Sequence, residues 1–167
     1  MKLTNQQIQS IPFQYAQNVR DGKVVVGLRI KQAIERFYSW IDTADSDGFY
    51  LDHQKGMSKI NFFETLLKHT KGKSASKKFI LSPYQQFTIY NVFAWMQDHQ
   101  KYGPIRRVNN VYEKVAKKNG KTAVMAGLAL DHISFELEAG AECYIGATKE
   151  EQAKICFKQA SEFITKS

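Results

Sequence analysis

The side chains best suited to chemistry stand together at Asn119-Gly120-Lys121-Thr122. A loop of this composition, placed between a strand and a helix, can hold phosphate. Its backbone N–H groups and the helix N-terminus point at phosphate oxygens. Gly120 lets the backbone approach without a Cβ in the way. Lys121 offers a point charge to the β- and γ-phosphates, and Thr122 offers a hydroxyl ligand to Mg2+. The full pattern G-x-x-x-x-G-K-[ST] would place glycine at 115, where this chain has Val115. A plain basic surface turn is the alternative reading of the same four residues.

Other constellations offer less. His53, His69, His99 and His132 show no metal-ligand spacing among themselves or with Cys143 and Cys156. Asp45, Asp47 and Gly48 faintly suggest a calcium loop, but the remaining ligands and the distal glutamate are missing, so a solvated turn is expected. Trp40 and Trp95 sit at helical spacing and read as core. The Lys71 to Lys78 run could touch nucleic acid; without interleaved aromatics it reads as a solvated loop.

The elements that must position the phosphate loop follow from periodicity and punctuation. Helical spacing is expected from about Asn5 to Val19, closed by Asp21-Gly22, and again from Val24 to Ile41. Lys59 to His69 reads as a further helix. After Ser82-Pro83 a helical pattern runs through Phe87, Tyr90, Phe93, Ala94 and Trp95, and stops at Tyr102-Gly103-Pro104. Val108 to Ala116 reads as a strand leading into the loop, and an apolar helix from Ala123 to Ile133 follows, ended by Glu138-Ala139-Gly140. Cys143 to Ala147 reads as a buried strand. Thr148 with Glu151 makes a capping box for a last helix, whose stripe includes Cys156, Phe157, Phe163 and Ile164. Strand, loop, helix, strand, helix is the texture of a parallel sheet with crossover helices. The main internal boundary falls near the Lys/Ser/Gly segment, giving a helical region 1–78 and an α/β region 79–167.

Composition sets the limits. The 167 residues are 43% apolar and 13% aromatic, enough to build a core and to exclude global disorder. No apolar stretch is long enough for a membrane span, and the first residues lack a secretory pattern. Two cysteines make no disulfide framework, so free thiols in a cytoplasmic setting are expected. The net charge is +8, and twelve lysines and arginines lie between 68 and 121 against only Asp98 and Glu113. A basic middle suits a polyanion, whether nucleic acid or nucleotide; a solvated surface is the bland alternative.

Several segments, taken together, resemble the large terminase subunit of tailed bacteriophages. Val115-Ala116-Lys117-Lys118-Asn119-Gly120-Lys121-Thr122 is similar to that family's deviant Walker A loop, V-A-R-K-N-G-K-S/T, which commonly lacks the first glycine. Phe79-Ile80-Leu81-Ser82-Pro83-Tyr84-Gln85-Gln86-Phe87, followed by Phe93-Ala94-Trp95, resembles the L-x-P-W-Q segment and its downstream F-G-W. Arg106-Arg107 matches the paired arginines before the first strand. Tyr15-Ala16-Gln17-Asn18-Val19-Arg20-Asp21-Gly22-Lys23 looks like the family's N-terminal helix and turn, and Phe62-Phe63-Glu64 with His69 and Gly72 like the lead to the adenine loop. Tyr144-Ile145-Gly146-Ala147-Thr148 through Ala153 resembles the strand and helix after Walker A.

The resemblance implies an α/β fold: a helical amino-terminal region followed by the first strands and helices of a P-loop NTPase parallel sheet. It implies ATP and Mg2+ as cofactors, with Lys117, Lys118, Asn119, Gly120, Lys121 and Thr122 in the nucleotide site, Thr122 serving the metal, and Tyr84 and Gln85 toward adenine. It also implies a DNA-packaging motor, with DNA, the rest of the large subunit, the small terminase subunit and the portal as partners. Such a motor is an oligomeric ring in the bacterial cytoplasm, acting at the procapsid vertex and away from membranes.

Two departures stand out. Lys117 replaces the usual arginine, keeping charge but losing the planar fork. No apolar strand ending in Asp with a neighbouring Glu follows; Phe135-Glu136-Leu137-Glu138 trails a helix instead. The coupling motif and acidic nuclease domain are absent as well. The expectation is therefore the front part of the ATPase domain, inactive alone, with no complete catalytic set. A non-catalytic basic α/β module binding nucleic acid or a partner, and a helicase-like P-loop fragment, are the competing readings.

Overall fold

A computed structural model describes residues 2–136 and 140–166. The first helix, α1 (Asn5–Gln9), begins at a capping box: the Gln7 side chain accepts from Thr4 N–H, and Thr4 Oγ1 accepts from Gln7 N–H. The chain then breaks at Ser10 and restarts as α2 (Ile11–Arg20), with Pro12 in its first turn, where a missing N–H does no harm. Two helices thus stand where the periodicity predicts one. Gly22, at φ 71°, closes α2, and its N–H donates to Val19 O. Next come α3 (Leu28–Thr43), β1 (Tyr50–Leu51) and α4 (His53–Leu66), then α5 (Pro83–Phe93), β2 (Trp95–His99), β3 (Gly103–Arg106), α6 (Lys121–Phe135) and α7 (Glu150–Lys166).

The chain divides into two units, each discontinuous in sequence or continued later in it. The first comprises the chain up to Ile60 together with Leu81–Val111. Its core is aromatic. Phe37 meets Phe13 edge-on at 5.0 Å and Phe87 at 5.5 Å, while Trp95 meets Trp40 at 5.6 Å and Phe49 at 5.5 Å. Gly56 on α4 is required there, because a Cβ would lie 2.7 Å from Tyr90 Cδ2. The sheet of this unit has the order β1-β2-β3, all antiparallel, pairing Leu51 with Trp95, Met96 with Arg106 and His99 with Gly103. Arg107, just past β3, lays its guanidinium 3.2 Å from the Phe49 ring centre and 4.4 Å from that of Trp40.

The second unit comprises Asn61–Ile80 and the chain from Tyr112 onward. Phe63, Phe79 and Phe163 form its centre, with ring centres 5.8 Å apart at both contacts. Phe63 also fills the space beside Gly127 on α6. Leu67–Ile80 folds back on itself as an antiparallel arm through the Lys68–Lys78 bridge.

Several expectations are corrected. The described residues contain a small antiparallel sheet and no parallel ladder. Val108 to Ala116 and Cys143 to Ala147 are not in strands. A strand exists through hydrogen bonds to neighbours, and neither segment has a ladder partner. Their side chains are correspondingly open: Val111 is 56% exposed, Tyr112 89% and Tyr144 87%. Residues 95–102 are a strand and its turn rather than a helical continuation, because Trp95 and Met96 are buried where β2 pairs on both sides. Helix α4 begins six residues before Lys59, where the Asp52 carboxylate accepts from Lys55 N–H. Helix α7 starts at Glu150, and Thr148 donates its hydroxyl to the Gln152 side chain instead of closing a capping box. The expected terminator of α6 at Glu138-Ala139, and the Leu137-Glu138 part of the acidic pair that trails it, lie outside the described residues.

Candidate functional site

The residues expected to form a phosphate loop stand at the head of α6. Lys118 and Gly120 are both left-handed, at φ 70° and 75°, and Lys117 and Asn119 are not. Alternation of hand along successive residues is the backbone signature of an anion-binding nest. A left-handed lysine costs about 1–2 kcal/mol, and such strain gathers at ligand-binding turns. Gly120 is the N-cap of α6, so no side chain covers the first N–H groups of that 15-residue helix. Lys121 folds back across the loop and donates from Nζ to Val115 O at 2.6 Å. Asn119 Nδ2 donates to Ala116 O at 3.3 Å. Lys117, Lys118, Lys121 and Thr122 are all exposed. The loop therefore offers oriented donors and a cation held over the loop backbone.

Packing behind the loop holds it in place. Val124, Ala126 and Gly127 on α6 are buried, and Gly127 brings the helix against Phe63 and Leu67. The Cys156 thiol on α7 donates to Thr122 O at 3.7 Å, and burial raises its pKa. Both Cys156 and Cys143 are free thiols. The sequence gives no hint that Cys156 backs Thr122, since only the packing of α6 on α7 brings them together.

Tyr84 and Gln85 lie in the first turn of α5, which belongs to the first unit. Gln85 Oε1 accepts from Ser82 N–H and from Ser82 Oγ–H, both at 2.9 Å, closing a capping box. The oxygen suited to adenine N6–H already has both lone pairs engaged. Tyr84 stands near Tyr15, whose hydroxyl pKa is raised chiefly by burial and further by Tyr84. The next residue, Gln86, is buried and donates from Nε2 to Leu81 O at 3.1 Å. Sequence reading passed over Gln86 because adjacent glutamines look alike until one is seen inside.

Among the described residues, no group of three or more His, Cys, Asp or Glu could hold a metal ion. His53 Nδ1 lies 2.9 Å from Tyr90 Oη, His69 packs on Phe79 and His99 on Tyr102. Asp47 donates its N–H to Thr43 O at the end of α3, and Gly48 turns there at φ 70°. No helix of the described residues is long and apolar enough to cross a membrane. Lys59 and Asp131 are buried ionisable residues that composition did not single out.

Among curated proteins nothing matches the chain, and among solved structures nothing matches it either. One family model does, that of the terminase large subunit, ATPase domain, over residues 83–167. The match takes in Tyr84, Gln85 and the whole loop from Lys117 to Thr122, so the chain belongs to the terminase large subunit family through its ATPase domain.

Proposed function

We propose that this chain binds MgATP on the loop at the head of α6 and serves as the nucleotide-binding part of a DNA-packaging ATPase. The observation that carries the reading is the loop itself: left-handed Lys118 and Gly120, an uncapped helix start, and Lys121 reaching back to Val115 O. These features fit a triphosphate. Loop amides and the α6 N-terminus would orient it, Lys121 would leave Val115 O to meet it, and Thr122 would supply the hydroxyl for the metal. A magnesium ion arriving with the nucleotide would supply charge neutralisation there, with the Thr122 hydroxyl as the ligand this chain would offer. Lys117 would add charge beside the transferred group, as a point charge rather than a fork.

The segments 108–116 and 143–147 are the positions at which a parallel P-loop sheet would run. What supports that reading is the family match over 83–167, since the two segments have no ladder in the described structure. Hydrolysis needs carboxylates to complete the metal site and position water, and among the described residues no strand presents such a pair. Turnover by these residues alone is expected to stay near background. Duplex DNA, the remainder of the large subunit, the small subunit and the portal are the proposed partners, in an oligomer acting in the host cytoplasm at the procapsid vertex.

The test is equilibrium binding of a fluorescent ATP analogue to the chain. Saturable binding that needs Mg2+ and is lost in Lys121→Ala is expected. Binding indifferent to both would leave the loop an ordinary basic turn.

A further inference from the structure

The lysine-rich segment between α4 and α5 is an ordered arm. His69 N–H donates to Lys77 O at 2.9 Å, Ser76 N–H to His69 O at 2.8 Å and Phe79 N–H to Leu67 O at 2.9 Å. Its tip is a single 3-10 turn at Gly72–Ser74, with Gly72 and Ser76 left-handed. The base is anchored twice. Phe79 is buried against Phe63 and Phe163. Thr70 is held by Glu162 at 3.1 Å and by Gln159 at 3.0 Å on α7.

Five lysines ride on this arm, at 68, 71, 73, 77 and 78, and the sequence from Thr65 to Gln97 contains no acidic residue. Lys71 pairs with Glu162 at 3.0 Å. Lys73, Lys77 and Lys78 are exposed and have no ion-pair partner among the described residues. The tip residues Ser74, Ala75 and Ser76 are small and polar or nearly so. They give nothing for a protein partner to bury, since protein hot spots are built from Trp, Tyr and Arg. They give no ring on which an unpaired base could stack. What remains is a row of hydrated point charges on flexible stems, which suits phosphates spaced along a duplex.

We infer that the 67–80 arm is a docking element for the backbone of double-stranded DNA, contacting phosphates through Lys73, Lys77 and Lys78. It rests on the packaging reading for the choice of duplex DNA as the polyanion. Contacts of this kind carry no base specificity.

The experiment is fluorescence anisotropy of a labelled random-sequence duplex with the full chain, between about 50 and 200 mM salt. Wild type is expected to bind with a steep salt dependence. The triple variant Lys73→Gln/Lys77→Gln/Lys78→Gln should reduce the slope of log K against log salt by about 2 to 3, at roughly 0.9 per lost phosphate contact. The charge-keeping triple Lys→Arg variant should restore it, and removing three exposed lysines elsewhere (Lys31, Lys149 and Lys158 to Gln) should leave the slope within about 1 of wild type. An unchanged slope in the arm variant, or no duplex binding by wild type, overturns the inference. Mg2+-dependent ATP binding measured on the same samples stands or falls separately, so loss of the arm proposal leaves the loop reading intact, and the reverse.

Discussion

Lys121 Nζ sits 2.6 Å from Val115 O, so the cation of the proposed phosphate loop is bonded to the residue that stands where the full motif has glycine. The contact bridges the mouth of the loop from its last residue to its first. Because the bond is exposed to solvent, it is weak enough to exchange for a phosphate oxygen. Lys121→Ala should therefore leave thermal stability within about 0.5 kcal/mol of wild type. The same change should weaken MgATP at least tenfold, as expected for losing a charge-assisted hydrogen bond of about 1.5–3 kcal/mol. Isothermal titration alongside a melting curve reads both. A large stability loss with unchanged affinity would make Lys121 a structural staple.

Gln85 and Ser82 separate two roles of one side chain. Each contributes to the cap of α5, so Gln85→Ala and Ser82→Ala should each cost about 0.5–2 kcal/mol in denaturant unfolding. If the Gln85 amide turns to adenine on binding, ATP should exceed GTP by roughly 5- to 150-fold, the equivalent of 1–3 kcal/mol for a bidentate base contact. Only Gln85→Ala should then narrow that gap, with Ser82→Ala preserving it. Equal affinities of wild type for the two nucleotides would confine Gln85 to capping.

Gly127 is the point at which α6 comes closest to the aromatic centre of its unit. A Cβ there would lie 2.3 Å from Phe63 Cε1 and 3.0 Å from Leu67 Cδ1. Overpacking of this kind costs about 1–3 kcal/mol, while replacing glycine in a helix returns roughly 1. Gly127→Ala should lower stability by roughly 1 kcal/mol, and adding Phe63→Leu should recover part of the loss, a non-additive pair. A Gly127→Ala chain that melts higher than wild type would refute the close approach.

His53 gives the first unit a pH dependence. Burial holds its imidazole below the ordinary value, against an opposing pull from Asp52. The unfolded chain takes up the proton near 6.5, and the folded one only at lower pH. Stability is then unaffected by this group above about 6.5 and declines as pH falls below it, toward the lowered folded value. Protonation also forces Tyr90 Oη, 2.9 Å away, to serve as acceptor. Urea unfolding at several values between pH 7.5 and 5.5 should show this decline, and His53→Gln should flatten it. Identical pH profiles for the two chains would assign the decline to other groups.

Helices were legible in this sequence to the extent that their cores are one-sided. The Ile34, Phe37 and Ile41 part of the α3 stripe is buried as its spacing predicts, while the α7 stripe is buried only at Cys156 and Phe163 and leaves Phe157 and Ile164 68% and 72% exposed. The β2–β3 hairpin was not legible, because Trp95 and Met96 continue the apolar texture of α5 without a break, and two buried neighbours in a row mimic a helix. The loop at 117–122 could be read from residue types alone, yet its left-handed Lys118 carries no sequence mark. The capping role of Gln85 at the start of α5 shows only in the two bonds its Oε1 accepts from Ser82. Strand character at 108–116 and 143–147 was read from apolar β-formers, and such residues make strands only where neighbours complete the ladder.

The order in which the two units close during synthesis follows from their make-up. Everything in the first unit has been made once Val111 is added. In the second, Phe63 and Phe79 are translated well before Gly127 and Phe163, the residues they pack on. At roughly 5–20 residues per second, Phe79 waits roughly 4 to 17 seconds for Phe163. From the addition of Val111 until Phe163 appears, the nascent chain holds the complete set of residues for one aromatic cluster and only part of the set for the other, whose rings stay open to chaperones. A slow codon placed after Val111 would lengthen the exposure without touching the first unit, so this chain's vulnerability to aggregation is set by translation timing across residues 112–163.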